Sequence, residues 1–268
     1  MNNNLRSKDY KRMALDALRG NWKTAMLTGF VASLFGATVI QGSSINFNFT
    51  REYPIEDMAS LFGNAFGVFV QIFAMFAMIL SIVSIIISGA MRMGYANYNL
   101  NLIDNKTAVF RNLFSHMNRK WSGFCMNFFM SLYIALWSLL LFIPGVVKSV
   151  AYAMTPYILA ENPDMTANEA ITESQSIMDG HKWDLFCLHL SFFGWGLLAA
   201  LPVLLVIIPA AYAAQTSPDR YFIAMVAAIP LSAGFLFVQP YMEAANAAFY
   251  RNLTPKQEES VADWYLSE

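Results

Sequence analysis

Apolar residues gather into six long stretches, at roughly 24–42, 66–91, 122–143, 145–160, 184–208 and 221–249, joined by short polar segments. A bilayer's hydrocarbon core is ~30 Å thick and takes ~20 helical residues to cross. Four stretches reach that length comfortably, and residues 145–160 are marginal. Backbone polar groups cannot stay unpaired in lipid, so each crossing segment is predicted to be helical. The pattern reads as all-α: a polytopic transmembrane helical bundle of six spans, forming one membrane domain over residues 1–268.

A similar preface precedes each outward-going span. Tyr10, Met13, Ala14, Ala17 and Leu18 recur at helical spacing, Gly20 can end that helix, and Trp22-Lys23 follows. Phe110, Leu113, Phe114 and Met117 form a second face, followed by Lys120-Trp121. Ala167, Ala170, Ile171, Ser174, Ile177 and Met178 form a third. It opens on a capping box, Thr166-x-x-Glu169, and closes on Gly180 and Lys182-Trp183. Trp22, Trp121 and Trp183 read as anchors at the membrane–water boundary. The three prefaces read as cytoplasmic-side interfacial amphipathic helices lying apolar face down. This suggests three repeats, at 5–92, 107–160 and 166–250. The alternative is that inner-membrane proteins in general collect Trp and Lys at this boundary.

Charge fixes an orientation. Cytoplasmic loops favour Lys and Arg. With both termini, 92–121 and 161–183 on one side, that side holds fourteen of the seventeen basic residues. Arg51, Lys148 and Arg220 fall on the other. Both termini are then cytoplasmic. Ile143-Pro144-Gly145 reads as a tight outer turn, because Pro fixes φ and Gly accepts positive φ. Lys148, just past it, would snorkel outward. If residues 143–160 only lie on the surface, five spans remain.

Polar residues at membrane depth are the candidates for function. Arg92, Asn127, His189, Gln239, Glu243 and Asn246 lie at comparable depth near the cytoplasmic boundary, as a candidate polar cavity. A Glu243–Arg92 ion pair is the sharpest form of that idea, and a purely structural pairing of helices is the plainer one. Pro202, Pro209, Pro230 and Pro240 interrupt the last two spans, where broken helices can line a transport site.

Composition narrows the chemistry. The net charge is −1, which gives no basic field for nucleic acid. Cys125 and Cys187 lie in apolar stretches and read as core hydrophobes without metal spacing. There is no phosphate-binding G-x-x-x-x-G-K-[ST] loop, no H-E-x-x-H and no G-x-S-x-G. No catalytic, cofactor-binding or metal-ligating residue is therefore assigned. His116, His181 and His189 have no evident carboxylate partner. Asn48-Phe49-Thr50 matches a glycosylation sequon only weakly.

The stretch from Phe142-Ile-Pro-Gly-Val-Val-Lys through Thr155-Pro-Tyr-Ile-Leu-Ala-Glu-Asn-Pro163 resembles a bacterial integral membrane family, labelled domain of unknown function 975. Asn168-Glu-Ala-Ile171, Met178-Asp-Gly-His-Lys-Trp183, Leu190-Ser-Phe-Phe-Gly-Trp195, Ala17-Leu-Arg-Gly-Asn-Trp22 and Ala248-Phe-Tyr250 extend the resemblance. It implies a multi-pass protein of the bacterial plasma membrane, distantly similar to the membrane region of glycerophosphodiester phosphodiesterases. It implies no catalytic residue. The expected function is a non-enzymatic membrane organiser or accessory, binding membrane lipids, a membrane protein partner or a second copy. The alternative is a small permease or lipid transporter using the polar cavity. A lipid-modifying enzyme is the third class.

Overall fold

A computed structural model describes residues 5–34, 64–213 and 230–254. These are helical, with no strand among them. In chain order the helices are α1 (Ser7–Leu18), α2 (Trp22–Leu34), α3 (Asn64–Ile103), α4 (Lys120–Leu140), α5 (Phe142–Ala151), α6 (Thr155–Glu161), α7 (Ala167–Ile177), α8 (Lys182–Ala213) and α9 (Phe235–Leu253). Three stretches are long and apolar enough to cross a membrane: Phe110–Leu140, Phe142–Glu161 and Lys182–Pro209. The sequon Asn48-Phe49-Thr50, Arg51 and Arg220 lie outside the described residues.

Two parts of the chain, 160 residues apart, fold alike. Asp9 accepts the backbone N–H of Arg6 at 2.8 Å, and Glu169 accepts that of Thr166 at 2.8 Å. Tyr10, Ala14 and Leu18 are buried in α1, as are Ala170, Ser174 and Met178 at the equivalent positions of the later copy. Each helix then stops at a glycine with positive φ, +82° at Gly20 and +81° at Gly180. A side chain there would be strained. The next helix buries Ala25, Thr28 and Ala32 in one copy, and Leu185, Leu188 and Phe192 in the other. Helix α4 keeps the same register with Gly123, Met126 and Met130.

The apolar faces of α1 and α7 are turned onto protein; for α1 this differs from the lipid-facing placement the sequence predicts. Tyr10 packs its ring on Phe249 of α9 at 5.1 Å, and Lys11 donates to the Ser191 carbonyl of α8 at 2.7 Å. Ser174 of α7 donates to the Ala151 carbonyl at 2.8 Å. The second preface is not an amphipathic α-helix. It forms two short 3₁₀ turns, Phe110–Phe114 and Met117–Arg119. Val109 before them is extended and caps nothing with its side chain, and Leu113 is pressed onto Gly94 of α3, whose missing side chain leaves it the space. Close docking has replaced helical pitch.

The reversal after α4 lies at Leu141 (φ −159°, ψ 139°), and Ile143-Pro144-Gly145 is already the first turn of α5. Proline is tolerated there because a first-turn N–H has no helical partner. Gly145 packs against Ser138, closing the hairpin. Residues 152–154 then break the returning segment into α5 and α6. Lys148 is turned toward α7. Its Nζ donates to Gln175 of α7 at 2.9 Å.

The cap of α7 gives a direct test. The Thr166 backbone N–H holds the Glu169 carboxyl below its ordinary value of 4.5. A depressed carboxyl stabilises above its unfolded pKa and loses that contribution as pH falls through the lower folded value. Thr166→Ala is expected to destabilise by about 1 kcal/mol. Glu169→Gln should flatten the acid side of the melting-temperature profile below pH 4.5. A Glu169→Gln profile superimposing on wild type from pH 6 to about 3 would remove this assignment.

Candidate functional site

The six polar residues take part in four hydrogen-bonded ties between helices. Arg92 of α3 donates to Asn127 of α4 at 3.4 Å, and Asn127 donates back to Ser88 of α3 at 3.1 Å. Gln239 of α9 donates to the Gly29 carbonyl of α2 at 3.0 Å. Tyr157 of α6 donates to the Glu243 carboxylate at 3.3 Å. His189 of α8 meets Asn246 of α9, Nε2 to Oδ1, at 2.9 Å.

Helix α9 is the hub. Gln239, Glu243 and Asn246 follow one another at i, i+4 and i+7, so they lie along one face. All three are buried. From that face α9 reaches α2, α6 and α8 in turn. Glu243 and Arg92 lie within electrostatic range of each other, while Glu243 accepts from Tyr157 and Arg92 donates to Asn127. Trp121 and Trp183 are highly exposed, and each stacks on the phenylalanine three residues later, Phe124 and Phe186. Trp22 is half-buried against Phe237 of α9.

A second cluster escaped sequence reasoning. At the end of α9, Arg251 Nη2 donates to Glu161 of α6 at 2.7 Å, and its Nε lies 2.9 Å from Asp104, just beyond α3. Tyr250 donates to the other Glu161 oxygen at 2.9 Å. The three inward-returning helices thus meet at one cation and two carboxylates. The available signal was a charged residue at each of three helix ends, which a tally of basic residues per loop discards. His181, read as unpartnered, lies 3.3 Å from Asp184 at an exposed helix start. Asp164 pairs with Arg119 at 2.9 Å, joining the acidic segment before α7 to the basic start of α4.

Two clefts open beside these networks. One, of about 210 Å³, lies beside Glu161, Glu173 and Arg251. The other, of about 300 Å³, lies between α4, α5 and α7, beside Tyr133, Trp137, Tyr152, Asn168 and Gln175. Neither is lined by the six polar residues. No group of three or more His, Cys, Asp or Glu suited to a metal occurs among the described residues.

Residues 139–257, from the end of α4 to just past α9, match a family model described as "Protein of unknown function (DUF975)". This supports the family resemblance read from the central segment. No curated protein and no solved structure matches the chain.

Proposed function

We propose that this is a non-enzymatic, multi-pass protein of a bacterial plasma membrane that organises or assists by holding lipid or a partner protein. Both termini are cytoplasmic. The chain is assembled from repeated units, a reading supported by the caps, glycine stops and burial register that recur 160 residues apart. Lys148 sits on the cytoplasmic half, since the helix it bonds leads directly into Lys182-Trp183 at the start of α8. That leaves only Arg51 and Arg220 for the exterior and sharpens the basic asymmetry.

One observation carries the accessory reading over transport. Each of the six polar residues at membrane depth is engaged in a tie between helices. Such contacts average ~0.6 kcal/mol in membranes, with a ceiling near ~1.7. They are fitting as pins between helices and unfitting as a solute path that must open and reclose.

His189→Phe, Asn246→Leu and their combination separate the two readings. The accessory reading expects each single change to lower thermal stability and the pair to show a coupling of about 0.6–1.7 kcal/mol. It also expects no solute flux through reconstituted wild-type protein. A saturable flux in vesicles that both variants abolish would replace it with transport.

A further inference from the structure

We propose that the cleft between α4, α5 and α7 seats the phosphate of an anionic glycerophospholipid. This deepens the accessory reading by naming the lipid class and the place where it binds.

Hydrogen-bond polarity is the first argument. Lysine can only donate, so Gln175 presents its oxygen to Lys148 and turns its amide NH₂ elsewhere. Asn168 likewise uses its oxygen, accepting from Tyr133 at 3.2 Å, and keeps an NH₂ to offer. Lys148 retains two further N–H groups. Among the described residues none of these donors has another protein acceptor, and no carboxylate lies within ion-pair distance of Lys148. The cleft edge is thus rich in donors and carries an uncompensated cation. An acceptor-only, anionic group is its complement.

The second argument is the setting of the cation. Lys148 Nζ lies 5.3 Å from the Trp137 ring and 5.8 Å from that of Tyr152. The two aromatic faces hold it in place but neutralise no charge. Charged side chains near a bilayer are costly unless paired, and among the described residues no carboxylate pairs with Lys148.

The third argument selects a lipid over a soluble anion. Tyr133, Leu136, Trp137 and Leu140 follow at i, i+3, i+4 and i+7 on α4, so the wall of the cleft continues as an apolar stripe toward the hairpin turn. Leu136 and Leu140 are 56% and 69% exposed. About 300 Å³ accommodates a phosphate and a glycerol. Acyl chains would lie outside it, along that stripe.

The test is lipid retention by native mass spectrometry. Protein in mild detergent is offered equal amounts of phosphatidylglycerol and phosphatidylcholine. Wild type is expected to retain phosphatidylglycerol in at least about tenfold excess. Lys148→Met should bring the two near parity, and Lys148→Arg should keep the preference. Asn168→Asp, a near-isosteric change on an exposed face that replaces a donor with a carboxylate, should also abolish it. Lys106→Met, at an exposed position beyond α3, should leave it intact.

Asn168→Asp carries the test if Lys148→Met fails to elute as a folded monodisperse species. A wild-type preference unchanged in Asn168→Asp or in folded Lys148→Met overturns the site and leaves the accessory reading standing. Retention of neither lipid and no protein partner by wild type overturns both. Release of bound phosphatidylglycerol by excess inorganic phosphate would assign the cleft to a soluble anion and overturn the lipid assignment.

Discussion

Gly89→Ala is expected to lower stability by about 3 kcal/mol. Helices α3 and α4 cross where Gly89 meets Gly123. A Cβ on Gly89 would overlap the Gly123 carbonyl, and one on Gly123 would sit 2.5 Å from the Ala90 backbone nitrogen. These are backbone atoms, so no side chain can swing aside and the helices themselves must separate. Small residues permit such close approach in membranes, where packing rather than hydrophobicity drives association. Gly194→Ala and Gly196→Ala are the controls, because nothing lies within 4 Å of a Cβ at either site. They should be neutral or gain up to ~1 kcal/mol from helix propensity. Thermal unfolding in one detergent ranks the three variants against wild type. A Gly89→Ala protein melting with wild type would show that the two helices do not cross there.

Arg251→Met is expected to destabilise by about 3–5 kcal/mol. The guanidinium is 14% exposed, and its partners Asp104 and Glu161 are 11% and 30% exposed. Removing the cation takes away the positive charge that both carboxylates face. The loss therefore reflects stranded anions more than the worth of the pair itself. A second change follows from that account. Adding Asp104→Asn and Glu161→Gln to Arg251→Met should recover a large part of the loss, although more side chains have been altered. A triple variant less stable than the single one would mean that the arginine acts through packing, not charge.

The sequence made some of this legible and concealed the rest for physical reasons. Capping residues and glycine stops act within a few positions of themselves, so Thr166-x-x-Glu169, Gly20 and Gly180 marked the ends of α1 and α7 correctly. The shared face of Gln239, Glu243 and Asn246 was also readable, since helical spacing places them together. Their partners were not. Gly29, 210 residues away from Gln239, contributes only a carbonyl, a group every residue possesses. The second preface misled because apolar spacing is satisfied equally by a helix on lipid and by a 3₁₀ turn clamped to Gly94. Counting from a proline placed Lys148 by distance along the chain, which could not reveal Gln175, the group it bonds.

At the summit of the α4–α5 hairpin, Leu139, Leu140, Leu141, Phe142 and Ile143 stand 64–87% exposed, without a polar residue among them. Loops that emerge into water are ordinarily edged by groups that hydrate well, and this one has no such hem. Pro144 follows at once and brings no N–H, which removes one donor that oil would have left unsatisfied. In the membrane arrangement proposed above, the height of this hairpin would follow acyl chains more than water, and a thicker or thinner bilayer would change the solvent around its crest before disturbing the pinned helices at its base.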